Sequence, residues 1–210
     1  MRRAAVMTVV IVVQMACSSS APRQADATKA AGETGALATK DAAALSGEVT
    51  GRTTPGALVS LEPAAGPPPV PAGPVIMDQF AKAFVPETLF VRAGQPVTFK
   101  NSDDQQHNIT VVRGRMGTRV LNISQGEGDA HTHTFDQPGE YDVTCDVHPG
   151  MRATIVAATT PYSVYADASG SFAFASVPPG EYRLRVSADG RDREQAVSVT
   201  GARVVIDASR

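Results

Sequence analysis

The stretch CDVHPGM, residues 145–151, holds one of two cysteines, one of four histidines and one of six methionines in a chain of 210 residues. A thiolate, an imidazole and a thioether within seven residues make a metal-binding loop the first chemistry to consider. Soft sulfur donors select copper(I), and imidazole suits either oxidation state. A trigonal set of two imidazoles and one thiolate with a weak axial thioether is an electron-transfer arrangement for copper. Cys145, His148 and Met151 supply three of those four donors. The fourth must come from elsewhere, and FKNSDDQQHN places His107 in a polar loop after the strand-like PVTFK.

The elements that must position these donors read as strands. EYDVTC alternates, so Tyr141, Val143 and Cys145 share one inward face, and the sulfur sits at the strand's end. Pro149 fixes a backbone angle and Gly150 permits a tight turn, which can bring His148 and Met151 back towards it. Around this segment lie GEVTG, ALVSLEP, LFVRAGQPVTFKN, NITVV, HTHTF, ATIVAA, YSVYA, SFAFASV, EYRLRVSA, AVSVT and RVVID. They are short, rich in β-branched or aromatic residues and bounded by Gly, Pro, Asp or Asn. Nothing after residue 45 reads as a long amphipathic helix, so the expected class is all-β, with sandwich or barrel architecture.

With these residues set out, the stretch 73–158 resembles the cupredoxins, the blue-copper family of plastocyanin, pseudoazurin and amicyanin. The resemblance rests on MDQ (77–79), FVPETLFVRAGQPVTFKN (84–101), His107-Asn108 and PGEYDVTCDVHPGM (138–151). The short C-x-x-H-x-x-M spacing is similar to the amicyanin type. The chain as a whole looks like the plastocyanin-like, methylamine-utilisation-type secreted proteins. The resemblance implies a Greek-key β-sandwich with one type 1 copper site, cycling between Cu(2+) and Cu(1+). His107, Cys145 and His148 would be equatorial and Met151 axial. It also implies that Asn108 fastens the two ligand loops together.

A second resemblance covers most of the rest. GSFAFASVPPGEYRLRVSADG (170–190) is similar to carboxypeptidase-regulatory-like, transthyretin-type β-sandwiches. The opening strands of that family are matched by GEVTGRTTPGALVSLEP (47–63), about a hundred residues earlier. Two paired strands alone are marginal in water, and domain insertion is tolerated where termini lie close together. The expected organisation is therefore a regulatory-like sandwich built from 45–70 and 159–210, with a cupredoxin domain at 73–158 inserted. AAGPPPVPAGP and AATTP would be the junctions. Two consecutive domains, the first ending near 158, are the alternative.

The N-terminus reads MRR, then AAVMTVVIVVQMA, then Cys17. Basic residues followed by a short apolar run fit a secretory signal. The segment resembles a bacterial lipoprotein signal, residues 1–17, which implies lipidation of Cys17. The expected location is then the periplasm or the outer membrane, with a lipid anchor. Lipidation would leave Cys145 as the only free thiol. Residues 18–44 contain a single large apolar residue from 21 onward, Leu37, and read as a disordered tether.

The net charge of −2 offers no electrostatic reason to invoke nucleic acid. Three protein donors and an axial sulfur leave no open position for a substrate, so the site does not read as an enzyme's. The expected function is one-electron transfer to or from a redox partner protein. Copper storage or delivery through the same ligands is the alternative, and a β-sandwich interaction or adhesion module is another. HTHTF puts His131, His133 and Phe135 on one strand face. They could share a second metal or a proton. Two imidazoles without a carboxylate or thiolate make a weak site, so ring packing at a strand end is the preferred reading.

Overall fold

The computed structural model describes residues 46–114 and 117–209. The signal segment, Cys17 and the tether lie outside the described residues. Every regular element described is a strand. The first two are β1 (Gly47–Arg52) and β2 (Leu58–Pro63). Nine follow: β3 (Val75–Phe80), β4 (Ala83–Val85), β5 (Thr88–Arg92), β6 (Pro96–Asn101), β7 (His107–Arg113), β8 (Arg119–Gln125), β9 (Ala130–Thr134), β10 (Gly139–Thr144) and β11 (Arg152–Ala158). The last five are β12 (Ser163–Tyr165), β13 (Ser171–Val177), β14 (Gly180–Ala188), β15 (Arg191–Val199) and β16 (Val204–Asp207).

These strands form four sheets, in the orders β13-β1-β16, β12-β2-β14-β15, β5-β11-β10-β7-β8 and β4-β3-β6-β9. β1 pairs with β13 and β16, and β2 with β12 and β14. The strands of residues 47–63 thus hydrogen-bond to strands that begin a hundred residues later. Two apolar cores follow the same division. One contains Val49, Val59, Leu61, Phe172, Phe174, Leu184 and Ile206. The other contains Met77, Phe99, Ile109, Phe135, Tyr141, Val143 and Ile155, together with Cys145 and Met151. Each draws on both of its sheets, so each is a sandwich with its own buried interior.

Alternation explains the pattern. β14 buries Tyr182, Leu184 and Val186 while Arg183 and Arg185 face water, as expected of a half-wet strand. The sequence reading placed no strand at β3, β4 or β8. β3 carries a buried polar residue, Gln79, where an apolar one is expected. Its amide donates to Gln125 Oε1 at 2.6 Å, a partner on β8. The two sandwiches touch through Thr160, whose hydroxyl donates to Leu61 O at 2.8 Å, and Thr159, which donates to Glu62. Tyr165 donates to Glu140 at 2.6 Å and stacks edge-on against Phe90. Burial and the Glu140 carboxylate raise the Tyr165 phenol well above its ordinary pKa.

Candidate metal centre

β7 and β10 run antiparallel, with Thr110 opposite Thr144 and Val111 opposite Val143. Continuing that register one residue sets Cys145, just past β10, beside the start of β7. His107 begins β7 and is fully buried. Strand pairing therefore brings together two donors that lie 38 positions apart.

The loop from Cys145 to Met151 closes on itself. Met151 N–H donates to His148 O at 3.2 Å, and Cys145 N–H donates to Met151 O at 3.2 Å. Pro149 and Gly150 occupy the two central positions of the turn, and Gly150 has φ +93°. That is the type II pattern, with Pro supplying the first angle and Gly the positive second one. The turn swings His148 back over the site. Its Nδ1 lies 3.0 Å from His107 Nδ1, and His107 Nδ1 lies 3.9 Å from Cys145 Sγ. The donor atoms of His107, Cys145 and His148 all lie within 4.8 Å of one another. Donors bonded to one ion at about 2.0–2.3 Å take separations of this size. Met151 is buried in the same core as Cys145, at the base of the loop.

Asn108 links the start of β7 to the loop after β10. Its backbone N–H points at Cys145 Sγ from 3.5 Å. Its side-chain oxygen accepts from Asp146 N–H at 3.0 Å, and its amide donates to Asn122 at 2.8 Å. Thr110 adds a hydroxyl bond to Asp146 at 2.9 Å. Such surrounding bonds fix ligand orientation.

Asp103 is a neighbour of the site that sequence reading missed. Its Oδ2 lies 2.8 Å from His107 Nε2. Hydrogen bonding from Lys82 N–H, then from His107 and Ala81 N–H, holds its carboxyl below the usual range, against an opposing effect of burial. An ionised carboxylate only accepts, so the Nε2–H of His107 donates to it, and its Nδ1 faces Cys145 and His148.

His131 and His133 are half-buried on β9, opposite Phe99 and Val97 of β6. The His133 ring packs edge-on against Phe135 at 4.8 Å. Burial lowers the His133 pKa and His131 adds to that, while Asp136 opposes it. Among the described residues, the one cluster of three or more His, Cys, Asp or Glu donors is His107, Cys145 and His148.

Residues 75–158 match the model of copper binding proteins of the plastocyanin/azurin family. Plastocyanin from Daucus carota is 32% identical over 80 residues, covering 35% of this chain and 82% of that protein. The chain belongs to the plastocyanin/azurin family. Amicyanin from Paracoccus denitrificans is 31% identical over 85 residues, covering 40% of this chain and 65% of that protein. The chain thus spans just under two thirds of that relative's length. A solved amicyanin structure from Paracoccus versutus is 23% identical, with a TM-score of 0.38, covering 47% of this chain and 91% of that one. Residues 144–209 match the carboxypeptidase regulatory-like domain. The first part of that match, 144–158, overlaps the cupredoxin match. There β11 pairs with β10 and β5, not with the later strands.

Proposed function

We propose that this cupredoxin is a one-electron carrier in which His107, Cys145, His148 and Met151 would hold one type 1 copper. The observation that carries the reading is the convergence of two imidazole nitrogens and one sulfur at a buried strand end. Bound copper would alternate between its two oxidation states and so take up and give back one electron. The chain's own residues keep the geometry constant through that change. Cys145 is fixed by β10 and by the Asn108 N–H, and His107 by β7 and Asp103. His107, Cys145 and Met151 are buried, which excludes water, while His148 is half-exposed beside the exposed Val147. His148 is therefore the edge through which a redox partner protein would exchange electrons.

Copper(II) added to the purified protein should bind one per chain, give an intense visible charge-transfer band and support a reversible one-electron wave. A colourless tetrahedral zinc protein would sink this reading. Copper storage or delivery through the same ligands predicts rapid loss of copper(I) to a chelator. Burial of three of the four donors favours slow exchange and the carrier.

The same proposal includes the organisation and the location. The copper sandwich, about 73–158, is inserted in a regulatory-like sandwich made of 45–70 and 159–210; the pairing of β1 and β2 with β13, β14 and β16 supports this. The carrier is exported and held at a membrane through lipid on Cys17, a reading supported by the sequence of residues 1–20. Stable anchoring needs more than one acyl chain, which lipoprotein processing supplies. Cys17→Ala should move the protein from the membrane to the soluble fraction, and unchanged attachment would point to an uncleaved apolar anchor.

A further inference from the structure

We propose that Asp103 is a positioning residue that orients His107 towards the metal and, by its negative charge, biases the site towards copper(II). This rests on the copper reading above and extends it to a residue outside the ligand set.

The carboxylate is held from three directions. Ala81 N–H donates to Oδ1 at 2.7 Å, Lys82 N–H to Oδ2 at 2.9 Å, and His107 Nε2 to Oδ2 at 2.8 Å. Its own backbone N–H donates to Asn101 Oδ1 at 3.0 Å. Asn101 is buried and donates in turn to the carbonyls of Gln105 and Gly126. The group cannot rotate away from His107 without abandoning two backbone donors.

Those two donors belong to an unusual turn. Ala81 and Lys82 link β3 to β4 with φ of 53° and 58°. A two-residue hairpin of this kind needs positive φ at both central positions, and Asn, Asp or Gly normally supply it. Neither is present. Left-handed backbone at residues with a β-carbon persists only where the surroundings over-determine it. Here the Asp103 carboxylate takes both N–H groups of the turn. The turn, the carboxylate and the His107 ring are one connected unit, with the ring as its inner end.

The consequence for the site is electrostatic as well as geometric. A metal-bound imidazole whose other N–H meets a carboxylate is oriented and made more basic. A more basic donor and a nearby negative charge both favour the dipositive ion over the monopositive one. Among the described residues His148 has no such carboxylate partner, so the two imidazoles are inequivalent.

The test compares Asp103→Asn with Asp104→Asn in the full chain. Asp104 is exposed, one residue away, and its loss changes net charge equally. Asp103→Asn should keep the blue band and shift the ratio of copper(II) to copper(I) affinity about tenfold towards copper(I). That is about 59 mV upward for a one-electron couple. Asp104→Asn should shift it by less than a third of that. Independently, NMR of the wild-type copper(I) protein should show a strongly deshielded, slowly exchanging His107 Nε2 proton. Equal potentials in the two variants would overturn the proposal. So would a rapidly exchanging His107 proton, which decides the matter even if Asp103→Asn fails to fold. A wild-type protein without copper colour would instead remove the copper reading, and this inference with it.

Discussion

Cys145→Ser abolishes the visible charge-transfer band and weakens copper binding by orders of magnitude, while the protein stays folded. The colour requires a thiolate donating into copper(II), and a serine hydroxyl neither ionises near neutral pH nor offers a soft donor. The fold tolerates the change because serine is the smaller side chain and introduces no clash, and Asn108 N–H already points at this atom. A buried hydroxyl costs about 1–3 kcal/mol if poorly partnered, which a sandwich with this core should survive. Absorption after copper addition and a thermal melt without copper measure the two effects separately. An intensely blue Ser variant would remove Cys145 from the site. Loss of the folded state would mean that Cys145 matters for packing first.

Much of this site was legible because its residue types are scarce. With two cysteines and four histidines in the chain, C-x-x-H next to a Pro-Gly turn is hard to attribute to packing alone. His107 was legible as a histidine following a strand, although it lies not in the expected polar loop but at the buried start of β7. What brings it to Cys145 is the β7–β10 register, a long-range property that no local pattern encodes. Asp103 shows the limit more sharply. In SDDQQ nothing distinguishes it from Asp104. Its role depends on Ala81 and Lys82, about twenty positions upstream, whose turn lacks the Gly or Asn that would have marked it. β3 and β8 were hidden for a related reason. Gln79 and Gln125 put amides into the interior, which spoils the apolar alternation. They are tolerated because they bond to each other and to the Lys100 and Phe99 carbonyls. Strands whose inward amides bond to one another between the two facing sheets do not advertise themselves in a window of six.

The nested arrangement has the second large expected effect. Leu61→Ala should destabilise the outer sandwich by about 2–5 kcal/mol and leave the copper spectrum unchanged. Leu61 is fully buried, lies on β2 opposite Leu184 of β14, and belongs to the core that holds Val49 and Phe172. None of the donors His107, Cys145 and His148 belongs to that core. The truncation keeps the backbone carbonyl that accepts from Thr160, so the contact between the sandwiches survives in the folded state. In a domain this small, each kcal/mol moves the midpoint by roughly 4–8 °C. Scanning calorimetry should therefore show one transition falling by about 10 °C or more. A second should stay within a few degrees and rise when copper(II) is added, because a ligand stabilises only the folded unit that binds it. If residues 58–63 belonged to the copper sandwich, Leu61→Ala would lower the copper-dependent transition instead. If the contacts through Thr159, Thr160 and Tyr165 fused the sandwiches into one cooperative unit, a single transition would move with both treatments. The first pattern would overturn the insertion reading and the second the independent unfolding of the two sandwiches, and neither would disturb the copper assignment, whose donors lie on β7 and on the loop after β10.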